Sequence, residues 1–197
     1  NYLGALLQEK GDLGAAEPLL REDLQVSRET LGDRHLETLA SMSLLGMLLY
    51  AEGDFTAAEP LLRETLQTMR EIRGDRHRDT IGSINNLGTL LYRKGDLAAA
   101  EPLWREALDV VRETLGDRHP DTLSSINNLG LLLYAKGDPA AAQPLLREAL
   151  DVLRATLGNR HPNTLAAIGN LGSLLKEKGD LAAAEPLSRE ALEGRRE

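Results

Sequence analysis

Cysteine is absent from this 197-residue chain. Disulfides and thiolate chemistry are therefore excluded, and a reducing compartment is allowed. The expected location is cytoplasmic. Aromatic residues are scarce at 3%, and β-branched residues are sparse, which weighs against sheet. Leu and Ala dominate, and both are strong helix formers. Positive charge is in deficit, with 23 Lys and Arg against 31 Asp and Glu and a net charge of −8. A nucleic-acid or anionic-membrane partner would call for a basic surface, so neither is expected. Apolar runs of about 18 residues, the length of a membrane span, are also missing. What is present is ample material for a core, since 42% of residues are apolar.

Internal repetition organises that material. Gly-Asp recurs at Gly11-Asp12, Gly53-Asp54, Gly95-Asp96, Gly137-Asp138 and Gly179-Asp180, always 42 apart. A second marker, Gly-Asp/Asn-Arg-His, recurs at Gly32, Gly74, Gly116 and Gly158. Residues 74–115 and 116–157 are identical at 32 of 42 positions. The sequence predicts a single array, 1–197, of five units: 1–31 (truncated), 32–73, 74–115, 116–157 and 158–197.

Each unit reads as two helices. In the fourth, Leu123, Ile126, Leu129 and Leu133 form a helical stripe from about Pro120 to Lys136. Gly137 suits the left-handed end of that helix, and Asp138 the cap of the next. The second helix runs to about Leu157, with Ala142, Leu145, Leu146, Ala149, Leu150 and Leu153 as its apolar stripe. A turn of about two residues makes the pair antiparallel. Gly4, Gly46, Gly88, Gly130 and Gly172 sit mid-helix, where Gly costs roughly 1 kcal/mol against Ala. Close approach of the partner helix is the inferred cause, facing small residues such as Ala58, Ala100 and Ala142. Pro18, Pro60, Pro102, Pro144 and Pro186 fall about six residues into each second helix. Either each helix bends there, or it starts later than this reading has it. Stacked pairs bury a continuous core and curl into a superhelix with a concave surface, giving an all-α solenoid.

Asn128-Leu129-Gly130, Tyr134-Ala135-Lys136-Gly137-Asp138 and Ala142 with Leu146 resemble the tetratricopeptide repeat. The 42-residue period, the Glu101-Pro102-Leu103 step and the linker from Leu115 to Asp121 resemble its kinesin light chain subtype. The resemblance implies that first helices line a groove for extended or helical peptides. Carried over by position, the groove residues are Asn85, Asn86, Asn127, Asn128 and Asn170. One turn on come Met47, Thr89, Leu131 and Ser173, then Tyr50, Tyr92 and Tyr134, with Arg93 and Glu177 at the following position. The second unit departs, with Ser43 and Leu44 where Asn pairs stand elsewhere. Almost no basic residues accompany the Asn side chains, which argues against a carboxylate clamp.

A structural reading stands beside each functional one. The Asn ladder either grips a peptide backbone, to which amides offer donors and an acceptor, or cross-links neighbouring first helices. The Tyr ladder either stacks on a ligand or packs between helices. Trp104 stands where sister units have Leu62 and Leu146 and reads as core. His35, His77, His119 and His161 lie one unit apart, about 10 Å, which is too far to share an ion about 2 Å from each ligand; they read as linker or capping residues. Glu59 and Glu101, four residues before Arg63 and Arg105, read as a solvated helix face. No phosphate loop, nucleophile elbow or metal-protease motif occurs. No cofactor, metal or catalytic residue is expected.

The expected function is a protein-interaction module binding a peptide or partner protein on its concave face. The alternative is a structural spacer or self-assembling scaffold without a ligand. The chain opens at Asn1 without Met, inside a first helix, and reads as a piece of a longer protein. Its uncapped ends, roughly 500 Å² each, lead to an expectation of weak end-to-end self-association.

Overall fold

The computed structural model describes residues 13–194. Nine α-helices follow in order: α1 (Leu13–Leu31), α2 (Leu36–Glu52), α3 (Phe55–Arg73), α4 (Arg78–Lys94), α5 (Leu97–Leu115), α6 (Pro120–Ala135), α7 (Pro139–Leu157), α8 (Pro162–Glu177) and α9 (Leu181–Gly194). No strand occurs among the described residues. The chain is an all-α solenoid of helix-turn-helix repeats. Gly4, Gly11 and Asp12 lie outside the described residues.

Local chemistry sets the helix ends. Gly53 takes φ +86° after α2 and Gly137 φ +81° after α6. Asp54 N–H then donates to Leu49 O at 2.9 Å and Gly53 N–H to Tyr50 O at 3.1 Å, closing the last turn in the Schellman manner. The same aspartates open the following helices. Asp54, Asp96, Asp138 and Asp180 accept from the N–H of Ala57, Ala99, Ala141 and Ala183 at 2.9–3.2 Å. First helices are capped differently. The Nδ1 of His35, His77, His119 and His161 accepts from the backbone N–H two residues on, at 3.1–3.2 Å. The histidines are capping residues, as their spacing suggested, and Nδ1 as acceptor leaves the neutral ring's proton on Nε2.

Two compact units divide the chain within α5: Asn1–Ala100 and Glu101–Glu197. In the first, α2 packs against α1 and α3, and α4 against α3 and α2. Its fully buried side chains include Leu20, Leu39, Met42, Leu48, Leu62 and Ile84. In the second, α7 packs between α6 and α8, α9 packs on α8, and the first helices α6 and α8 are neighbours. Ile126, Leu132 and Leu146 are its best-buried large side chains, and Trp104 is core at 3% exposure. Leu132, entirely buried, extends the stripe read for α6, whereas Leu145 is only half-buried.

Two expectations change. Gly46 and Gly130 do face a close partner, but that partner is leucine. A Cβ on Gly46 would stand 2.8 Å from Leu62 Cδ2, and one on Gly130 2.7 Å from Leu146 Cδ2; Ala58 is reached only through its carbonyl, at 3.7 Å. The second helices also do not start late. Each proline is the sixth residue of a helix that already began at Leu13, Phe55, Leu97, Pro139 or Leu181. All five prolines are exposed, as are Gly14, Thr56, Ala98, Ala140 and Ala182, whose carbonyls lose a donor to proline. Their exposure leaves those carbonyls open to water, which lowers the cost of proline inside a helix.

Candidate functional site

First helices present the residues singled out by position. In the first unit, Met47 and Tyr50 of α2 and Asn85, Asn86, Thr89 and Tyr92 of α4 are half-buried, while Arg93 is exposed. The Tyr50 ring lies 5.9 Å from that of Phe55, so it packs against the next helix. Asn85 Oδ1 is buried without a hydrogen-bond partner among the described residues.

The second unit brings its ladder residues into pairs. Asn170 Nδ2 of α8 donates to Asn127 Oδ1 of α6 at 3.0 Å. The Tyr134 hydroxyl donates to the Glu177 carboxylate, and this bond, then burial, pushes the phenol up to about 12. Both contacts bridge neighbouring first helices. Leu131 is half-buried and Ser173 exposed on the same helices.

A cavity of about 290 Å³ opens between α6 and α8. Asn127, Asn128 and Ser124 line it from α6, and Asn163, Ala166 and Ala167 from α8. The C-terminal turn of α7 closes one side with Leu153, Thr156 and Leu157. Leu157 is 44% exposed, so its apolar surface faces the cavity rather than the core. Arg118 stands at the rim, and no carboxylate side chain lines the walls. The sequence reading reached Asn127 and Asn128 but missed the α7 wall. Its signal was a leucine at a second-helix end, outside the buried stripe, repeated at Leu31, Leu115 and Leu157, each more than 40% exposed. Asn170, Leu131, Tyr134 and Ser173 do not line this cavity.

The charged residues read as a solvated face also bridge helices. Glu59 accepts from Lys94 Nζ at 2.6 Å and pairs with Arg63 at 2.8 Å. Those two cations, Lys94 first, hold its carboxyl below the usual range. Glu101 does the same with Lys136 and Arg105. Second helices are linked by Arg28 to Glu64, Arg112 to Glu148 and Arg154 to Glu190. Among the described residues no three metal-ligating side chains converge, and no helix is long and apolar enough to cross a membrane.

Comparison with known proteins decides the family. A tetratricopeptide repeat model matches residues 1–71, 40–101, 79–155 and 128–197. The chain belongs to the tetratricopeptide repeat family. Its repeats superpose on those of kinesin light chain-like structures. A crystal structure of a kinesin light chain-like protein of Podosopora anserina, with nearly identical TPR-like repeats, superposes at TM-score 0.86. That protein is 24% identical, over 98% of this chain and 92% of the other. BtubC (BKLC) from P. vanneervenii superposes at 0.84, with 26% identity over 98% and 77%. A Rap protein complexed with Competence and Sporulation Factor superposes at 0.77, with 11% identity over 98% and 52%, and shares the fold alone. None of the curated proteins matches the chain in sequence. Tetratricopeptide repeat arrays are protein-interaction modules, and this chain is one by family.

Proposed function

We propose that the first-helix face binds an extended segment of a partner protein, anchored in the groove between α6 and α8, and that the chain carries out no catalysis. The observation that carries this reading is the groove's make-up. Apolar walls from Leu153, Leu157 and Ala166 surround the amides of Asn127 and Asn128. Such walls take one apolar side chain, while an amide pairs with the backbone beside it. A Rap protein of the same fold, complexed with Competence and Sporulation Factor, supports this reading.

A purely structural scaffold is the second reading. The Asn170–Asn127 and Tyr134–Glu177 contacts favour it, because they spend ladder residues on holding helices together. One experiment separates the two. A displayed library of random peptides is selected against the chain, and the survivors are measured against Asn128→Ala and Leu157→Ser. Loss of the leucine's burial should weaken binding by about tenfold or more. Loss of the amide should cost a smaller factor, with helicity and Tm unchanged. Binders indifferent to both substitutions place recognition elsewhere. A library that yields no binder supports the scaffold.

A further inference from the structure

Four junctions join a second helix to the next first helix, and three are built alike. In each of these, the threonine three residues into the first helix returns to the glycine that ended the preceding one. Thr38, Thr80 and Thr122 donate through Oγ1 to Gly32, Gly74 and Gly116 O at 2.7–2.8 Å. Each also reaches a carbonyl in the last turns of that helix, at Ser27, Met69 or Val111. An arginine near the end of the second helix faces the aspartate of the loop: Arg28–Asp33 at 3.1 Å, Arg70–Asp75 at 3.3 Å, Arg112–Asp117 at 3.3 Å.

The fourth junction, α7 to α8, breaks both ties. Asn159 stands where the others have aspartate, so Arg154 has no loop carboxylate. Thr164 is fully buried, yet its Oγ1 has no partner. The helix ends on either side stay intact. Gly158 N–H still donates to Arg154 O at 3.1 Å, and His161 still caps α8. What is lost is the connection between them. Other ties survive away from the loop, with Arg154 held by Glu190 of α9 and Lys178 donating to Gln143.

We infer that the α7–α8 junction is a built-in joint, at which α8 swings from the end of α7 to widen the groove between α6 and α8. The joint sits at the groove's wall. Leu153, Thr156 and Leu157 precede it, Asn163, Ala166 and Ala167 follow it, and all six line the cavity. Opening is confined to the Gly158 end, because Lys178, beyond the far end of α8, donates to Gln143 of α7. An unpaired buried hydroxyl makes the closed position less favourable than at the sister junctions, so local opening there costs less. The motion stands independently of the proposed peptide binding; only its use rests on that reading.

The repeat supplies its own control. Segments 113–124 and 155–166 occupy equivalent positions and differ at four residues. Hydrogen exchange of the intact chain, followed by mass spectrometry, should be about tenfold faster across the fourth junction, roughly the factor carried by one net hydrogen bond. Asn159→Asp should slow it to the level of the third junction, and Asp117→Asn should speed the third. Equal exchange in the unsubstituted chain, or no response to Asn159→Asp, overturns the joint. The cysteine-free chain also accepts a spin-label pair at Ser124→Cys and Ala166→Cys, both exposed across the groove. Their distance distribution should be broad and should narrow with Asn159→Asp; an unchanged distribution overturns the widening. Failure of every peptide to bind while both readouts respond would sink the proposed ligand and leave the joint standing.

Discussion

The pairs α6–α7 and α8–α9 have the same fold and share Asn-Leu-Gly at the middle of the first helix, yet they differ at the position facing its glycine. In the first, Gly130 lies under Leu146, which is 1% exposed. In the second, Gly172 lies under Ser188, and an added Cβ would find Leu187 Cβ at 3.6 Å and Ser188 Oγ at 3.7 Å, an ordinary contact. The glycine that is compulsory in one pair is optional in the other. A repeated residue is therefore not required equally at each repeat; the residue across from it sets the requirement.

Substitutions break this comparison most strongly at the leucine. Leu146→Ser should reproduce the α9 arrangement and cost about 2–5 kcal/mol, as removal of a buried leucine does. Denaturant unfolding of the second unit would register it. Next comes Gly130→Ala, whose Cβ would press on Leu146 Cδ2 at 2.7 Å and Cγ at 2.9 Å. Overpacking of about 1–3 kcal/mol outweighs a helix-propensity gain of about 1 kcal/mol, so the net effect is destabilising. In the Leu146→Ser background its sign should reverse. Gly172→Ala, by contrast, should stabilise the chain by about 0.5–1 kcal/mol, read as a rise in Tm. A loss there would show that α9 sits closer to α8 than the 3.6 Å clearance allows.

The smallest effect concerns the contact that joins the two pairs. Tyr134 donates to Glu177, and its pKa is raised from 10.0 to about 12. A raised folded value means that the contribution is complete below pH 10 and is lost as pH climbs through about 12. Phenolate absorbance should show this late titration, and Glu177→Gln should move it back toward 10. A titration unaffected by Glu177→Gln would remove the contact from the fold.

Much of this was legible because it is local. Gly53, Asp54 and His77 act within a turn of their own position, so caps and helix ends can be read from residue spacing. Trp104 was legible by substitution against Leu62 and Leu146. What stayed hidden depends on where one helix falls against another. Arg112 reaches Glu148, 36 residues on, Lys94 reaches back 35 to Glu59, and Asn170 reaches back 43 to Asn127. None of those separations is the 42-residue period, because the contacts run diagonally between helices. The facing of Gly130 by Leu146 rather than Ala142 is a matter of the same rotational offset. The groove is half legible for this reason: Asn127 and Asn128 share the face of α6, while Leu157 arrives from another helix.

Those diagonal contacts bear on how such a chain grows. Arg28–Glu64, Arg112–Glu148 and Arg154–Glu190 share one offset of 36, and Lys94–Glu59 and Lys136–Glu101 share one of 35. Where these pairs occur, the interface is thus written as a rule between a unit and its successor. A gene segment copied in tandem at the 42-residue period carries both halves of each rule. It enters between its neighbours with its charges already matched. Lengthening or shortening the array then requires only recombination in register, and the surface that diverges afterwards is the one the rules leave unused.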